Sequence, residues 1–168
     1  QTMPDVSPPK WHLAHVSWFY ETFILAPYLK DYQPFNPQFN DLFNSYYQGI
    51  GKPFPRAQRG LLSRPSVAEV YSYRAHIDAH MNELIASLDD YRDGLKIWEL
   101  ILLGLNHEQQ HQELLMTDIK HILGSNPLLP AYVNNKAPPA QHSTVALDWV
   151  KLPGGKVAIG HDGQGFCF

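Results

Sequence analysis

Apolar positions recur with a helical period in three stretches of the chain, and the third is unusual. From Leu95 to Leu123 it is apolar at both ends, with WELILLGL over Trp98–Leu105 and LLM over Leu114–Met116. Its centre is filled by eight consecutive polar residues, Asn106–Glu113. Neither flank carries a turn signal apart from the lone Gly104. The pattern therefore predicts one long helix, stopped by Gly124 and Pro127.

The other two stretches are more conventional. Ser7-Pro8-Pro9 predicts a helix start, with the serine as N-cap and prolines where no amide hydrogen is needed. From Lys10 to Leu25, Trp11, Ala14, His15, Trp18 and Thr22 share one face. Leu13, Val16, Tyr20, Phe23 and Ile24 fill much of the other, so this helix is expected to be buried nearly all round. Ser66-Val67-Ala68-Glu69 is a capping box, and a helix follows to Leu88 with Val67, Val70, Ile77, Met81 and Leu84 in register. Asp89–Gly94 is a polar turn.

Between the first two helices, six prolines (27, 34, 37, 53, 55, 65) and Gly49, Gly51 and Gly60 break the pattern. A short helix is expected over Asn40–Tyr47. The many aromatics of this connection (Tyr28, Tyr32, Phe35, Phe39 and Phe43 among them) argue that it packs on the core. After the long helix, Asn126–His142 is proline-rich and irregular. ALDWVKLPGGKVAIG then alternates and turns at Pro153-Gly154-Gly155, predicting a β-hairpin. The reading is an all-α bundle over 1–130, a linker over 131–146, and a hairpin over 147–168 that begins a second domain.

Composition narrows the function classes. An apolar content of 44% with 12% aromatic residues is that of a chain with a real core. The net charge of −3 offers nothing to nucleic acid or to an anionic membrane. No apolar run reaches the ~20 residues of a membrane span, and the start QTMPDVSPPK lacks a signal-peptide pattern. The single cysteine, Cys167, excludes an internal disulfide and fits a reducing compartment, so a cytoplasmic location is expected. The chain does not begin with methionine and stops at GQGFCF, which reads as an interrupted protein.

The polar centre of the long helix is where chemistry is expected. An unpaired buried polar group costs roughly 1–3 kcal/mol, so HEQQH needs partners or solvent. His107 and His111 are four residues apart and stack on one helical face, a metal-ligand spacing. The plain alternatives are that this turn emerges to solvent or that the histidines are hydrogen-bonded in the core. A bundle metal site takes ligands from facing helices, and His12 and His15 are the candidates for a third. His15 shares its face with Trp11 and Trp18. A second pair, His76 and His80, has Glu69, Arg74, Asp78 and Glu83 around it, which favours a rim position. Glu113 falls about 200° round the helix from His111 and Glu108 about 100° from His107, so neither is placed to join the pair on one ion. Gln110 borders the histidine face. Three histidines leave positions open, which suits a catalytic metal, and Zn(II) and Fe(II) both remain possible by ligand type.

The segments WHLAH, WFYETF, LFNSYY, RGLLSRPS, LGLNHEQQHQELLMTDIKH and NPLLPAY together resemble the N-terminal domain of the ergothioneine-synthesis sulfoxide synthases (hercynine oxygenases). That domain is similar to the DinB-like four-helix bundle. WVKLPGGKVAIGHD and GFCF resemble the start of the formylglycine-generating-enzyme-like domain that follows it. The resemblance implies a mononuclear non-haem Fe(II) held by His15, His107 and His111. Its substrates would be O₂, a thiol (γ-glutamylcysteine or cysteine) and Nα-trimethylhistidine, called hercynine. It implies substrate contact by Gln110 and thiol carboxylate binding by one or more of Arg56, Arg59 and Arg64. Glu113 belongs to its HxxxHxE signature, and helix geometry leaves that residue a supporting role behind the ligands or a structural one. The family's catalytic tyrosine and its betaine-binding groups belong to the C-terminal domain. The 168-residue chain alone is therefore expected to bind metal at most.

Two other readings compete. One is a DinB-like zinc- or nickel-dependent thiol transferase or hydrolase using the same histidines, with ovothiol- or selenoneine-type synthases as nearer variants. The other is a non-enzymatic docking bundle.

Overall fold

Helix α1 (Pro9–Tyr20) is the element around which the first part of the chain is built, because nine of its twelve residues are buried. The structure, a computed structural model, describes residues 1–46, 49–134 and 146–168. It divides into two units, Gln1–Ala131 and Tyr132–Phe168.

In the first unit, α1 runs on through a π-helical turn, Glu21–Leu25, into a last helical turn, α2 (Ala26–Tyr28). It packs against α4 (Val67–Ala86), α5 (Gly94–Gly124) and the short α3 (Phe39–Phe43). Helices α4 and α5 lean on α1 more than on one another. That arrangement explains the sequence of α1, since a central helix has no side left for solvent. The result is three long helices, with α3 and the connecting loop covering the remaining side of α1.

The start of α1 differs from expectation. Its N-cap is Pro8 and not Ser7, with Pro9 at the first helical position and no side-chain cap. Ser7 is drawn elsewhere. Its N–H donates to Asp118 of α5 at 2.9 Å, and its hydroxyl accepts from Arg59 at 3.0 Å. These two bonds outcompete a local cap. The capping box of α4 forms as read, with Ser66 Oγ accepting from the Glu69 N–H and the Glu69 carboxylate accepting from the Ser66 N–H. Val67, counted with the core face, is exposed at the first turn, and Tyr73 fills the buried stripe with Val70, Ile77, Met81 and Leu84.

The connection packs as its aromatics required. Phe39 and Phe43 are buried, and the helix there spans Phe39–Phe43, shorter than expected. Tyr47, the far end of that expected helix, lies outside the described residues. A 3-10 helix over Arg56–Leu61 was not foreseen. Glu21, at the π-helical turn, is buried and accepts from the Tyr73 hydroxyl (2.6 Å), the Tyr32 hydroxyl (2.7 Å) and the Phe35 N–H (3.0 Å). It ties α1 to the loop and to α4.

Gly104 has a packing role. A Cβ there would lie 2.6 Å from a ring carbon of Tyr20, so the glycine lets α5 close onto α1. The buried stripe of α5 then reads Ile97, Ile101, Gly104, His107 and Asp118, apolar below and polar above on one face.

In the second unit, residues 135–145, most of the expected linker, lie outside the described residues. The expected hairpin is not formed. No strand occurs over 146–168, and Leu147, Trp149, Val150, Leu152, Val157 and Ile159 are all exposed. An isolated hairpin is marginal without a third strand or a helix to bury its apolar face.

Candidate metal centre

Helices α1 and α5 bring three histidines to one point. The ring centroids of His15, His107 and His111 lie 4.7 to 5.1 Å apart in every pairing. One nitrogen from each lies within 4.8 Å of the others. His107 and His111 share the inward stripe of α5 as i and i+4. His15 faces them because α1 is buried on that side as on every other.

Each ring is held in a definite way. His15 is sandwiched between Trp11, 4.7 Å away and 11° from coplanar, and Trp18, at 5.4 Å and 17°. Its Nδ1–H donates to the Phe43 carbonyl at 2.6 Å, so the lone pair is on Nε2, which is buried and has no partner. His107 packs against the Phe19 ring at 4.8 Å, and both of its nitrogens are buried without a partner. His111 Nδ1 lies 2.9 Å from His12 Nδ1, and His12 Nε2 lies 2.9 Å from Asp118 Oδ2. Of the two α1 candidates, then, His15 turns a bare nitrogen to the α5 pair, and His12 is engaged by Asp118.

The electrostatics keep these rings neutral. Burial pushes His107 down to about 4. Burial, then the neighbouring His107 and His12, push His111 down to about 3. Burial holds His15 well below the ordinary histidine value, with His111 adding to it. Burial also lowers His12, with Asp118 pulling the other way. Unpartnered buried nitrogens are costly in a dry interior. Those of His15 and His107, converging with the neutral His111 ring, fit a metal ion, which would use the lone pairs.

The family model of the DinB superfamily matches residues 1–115 of the chain. The chain belongs to the DinB superfamily. The match spans α1 and most of α5 and so contains His15, His107 and His111, and the superfamily includes metal-binding members. No curated protein matches the chain.

Beside the three histidines the DinB domain has a cavity of about 150 Å³. Arg56, Arg59, Gln110, His107 and His111 line it. Arg59 comes from the 3-10 helix, is buried, and lies 3.4 Å above the Trp11 ring. It donates to the hydroxyls of Ser7 and Ser45, both at 3.0 Å. Among the described residues it has no carboxylate within ion-pair distance. Burial, with Arg56 adding repulsion and the more distant Asp118 carboxylate pulling the other way, pushes it down to about 9, still charged at neutral pH.

Arg64 does not reach this cavity; it is exposed and donates to the Ser63 carbonyl. Glu113 is exposed and does not line the cavity either. The carboxylate that approaches the histidines is Asp118. Two residues beyond His111 the helix has turned away, but seven beyond it has come back to the same face. Glu108 pairs outward with Arg74 at 3.0 Å. His76 and His80 lie with ring centroids 4.2 Å apart, tilted by 46°, beside Tyr32 and do not join the cluster. Reading only His107 and His111 on the inward stripe missed Asp118. The signal was present, since positions 107, 111 and 118 fall within about 40° of one another at 100° per residue.

Proposed function

We propose that this DinB-superfamily chain supplies the metal- and thiol-binding groups of an Fe(II)- and O₂-dependent sulfoxide synthase. The reaction joins the sulfur of γ-glutamylcysteine or cysteine to the imidazole C2 of hercynine. The S–H and the C2–H are lost, one oxygen atom ends on sulfur, and the other leaves as water. The observation that carries the reading is the pairing of two features. Three histidines converge within 4.8 Å, two of them (His15 and His107) with buried unpartnered nitrogens, and next to them a buried arginine, with no carboxylate within ion-pair distance among the described residues, faces a cavity. Together they suit a ligand with a soft donor at one end and a carboxylate at the other.

In this reading His15, His107 and His111 hold the iron, which when bound ionises the thiol and accepts O₂. Arg59, steadied by Trp11, Ser7 and Ser45, receives a thiol carboxylate, and Arg56 adds charge at the same cavity. Gln110 offers a neutral donor and acceptor to the substrate imidazole. Trp11, Trp18 and Phe19 limit water around the rings. In this reading the groups that hold the betaine and move protons are those of a formylglycine-generating-enzyme-like domain, whose start residues 147–168 resemble.

The test loads the purified chain anaerobically with Fe(II) and follows the EPR signal of its nitric oxide adduct. The parent should take up one equivalent of iron, His107→Ala should not, and γ-glutamylcysteine or cysteine should change the signal. Equal metal content in the parent and His107→Ala would overturn the reading. Uptake of Zn(II) but not Fe(II) would transfer the site to the thiol transferase or hydrolase class.

A further inference from the structure

The metal-site reading uses three histidines and leaves a fourth, His12, and a buried carboxylate, Asp118, without a task. Their geometry gives them one. Asp118 Oδ2 lies 2.9 Å from the Ser7 backbone nitrogen and 2.9 Å from His12 Nε2. His12 Nδ1 lies 2.9 Å from His111 Nδ1. These contacts form a single file from the backbone of Ser7 to a ring of the cluster.

The direction of each hydrogen bond follows from the first. A backbone N–H can only donate, so Asp118 Oδ2 accepts there. A carboxylate accepts again from His12, so His12 Nε2 carries the proton. The neutral His12 ring then has a lone pair on Nδ1 and accepts from His111. His111 Nδ1 must therefore carry its proton, and its lone pair is on Nε2. His15 reaches the same state by a separate route, through its bond to the Phe43 carbonyl. The cluster thus has two rings whose tautomers are set by outside partners, while His107 has none.

We infer that Asp118 and His12 are positioning residues that fix His111 in its Nδ1–H tautomer, so that Nε2 stands ready as a metal ligand. The inference rests on the metal-site reading and not on the identity of the metal or substrate. A carboxylate behind a ligating histidine orients the ring and raises its basicity. Here that influence is passed through a second imidazole. The arrangement also explains why two more polar groups are buried beside an already polar cluster: each has both of its partners only if the whole file is intact.

The test has a readout that needs no metal. Side-chain ¹⁵N NMR of the metal-free parent should show His111 protonated on Nδ1 and bare on Nε2. A parent His111 protonated on Nε2 overturns the inference outright, whatever the variants do. Asp118→Ala should release His111 into a tautomer mixture, and Asp118→Asn should restore the parent pattern, because an amide oxygen can still accept from His12. Co(II) affinity, measured by chelator competition, should fall about 10–100-fold in Asp118→Ala and less in Asp118→Asn. His15→Ala serves as the reference. If it binds Co(II) as the parent does, the metal-site reading itself fails. If it loses Co(II) while Asp118→Ala keeps the parent tautomer and affinity, the metal site stands and the positioning role is overturned.

Discussion

His15 and Phe43 are joined by a 2.6 Å hydrogen bond from the imidazole Nδ1–H to a backbone carbonyl, across 28 residues of sequence. The bond makes α3 part of the candidate metal centre, since the last residue of that short helix fixes which nitrogen of His15 faces the cluster. A structural histidine would gain from having its second nitrogen satisfied. Here it is buried and bare between two tryptophans.

His15→Phe separates function from packing. Phenylalanine keeps an aromatic ring between Trp11 and Trp18 and removes an unpartnered buried nitrogen, a gain of roughly 1–3 kcal/mol. It also leaves the Phe43 carbonyl unpaired, a cost of similar size. The expected outcome is a metal-free stability within about 1 kcal/mol of the parent together with loss of metal uptake. Chemical denaturation and metal analysis on the same preparation check both. A large loss of stability with metal retained would assign His15 to the core alone.

The acid limb of stability follows from the same burial. His107 is held down to about 4 and His111 to about 3, against an ordinary value of 6.5. Between the folded and unfolded values the unfolded chain binds more protons. Stability is therefore fully present above pH 6.5 and declines as pH falls toward 4. The slope is at most about 1.4 kcal/mol per pH unit for each histidine. Denaturant midpoints measured from pH 8 to 4 should fall through that window, and in His107→Phe the fall should be shallower. Bound metal should steepen the parent profile, because protons compete for the same lone pairs.

Some of this was readable in the chain and some was not, for physical reasons. The Ser66 capping box and the shared face of His107 and His111 are local properties, fixed by 3.6-residue geometry. The inward turn of His15 followed from a helix with no polar side to give to water. Ser7 is the opposite case: its local role as a cap lost to Asp118 and Arg59, partners 111 and 52 residues away in sequence. The choice between His12 and His15, and the meeting of Arg59 with Trp11, depend on how helices register against one another. The hairpin failed for a related reason: alternation states that a strand is possible, not that a neighbour is present to bury it.

Gly104→Ala tests the close approach of α1 and α5. On an isolated helix this change stabilises by up to ~1 kcal/mol. Here the new methyl would sit 2.6 Å from Tyr20 and 3.2 Å from Phe19. Overpacking of this kind typically costs about 1–3 kcal/mol, so a net loss of stability is expected. Phe19 also packs on His107, so metal affinity should fall with it. A variant as stable as the parent would show that the helices have room the structure does not indicate.

Glu21 provides a contrast that spares the site. Replacing it by alanine leaves the Tyr73 hydroxyl and the Phe35 N–H without their acceptor, while the Tyr32 hydroxyl keeps only His76 Nε2 at 3.1 Å. At roughly 1–3 kcal/mol for each group left unsatisfied, a destabilisation of several kcal/mol is expected. Glutamine, which keeps one acceptor, should cost less. Metal stoichiometry of whatever remains folded should be unchanged in both. Loss of metal from the folded Glu21→Gln protein would mean that the loop anchor and the centre are coupled.

Arg59 carries the prediction about ligand class. It is buried, still charged at neutral pH, stacked 3.4 Å over Trp11, and lacks an ion-pair partner among the described residues. A buried cation is costly unless something anionic offsets it. A carboxylate entering the cavity would form the missing pair, and the guanidinium fork suits it better than a point charge. Arg59→Lys keeps the charge but gives up the fork and most of the stacking. Calorimetry with metal-loaded protein should then show γ-glutamylcysteine or cysteine binding weakened about tenfold or more, equivalent to about 1.4 kcal/mol. Cysteamine, which has the thiol but no carboxylate, should bind the parent more weakly than cysteine and be nearly indifferent to the substitution. Arg64→Ala, outside the cavity, should leave both unchanged. Equal losses for cysteine and cysteamine would show that Arg59 supports the fold of the cavity and does not read the carboxylate.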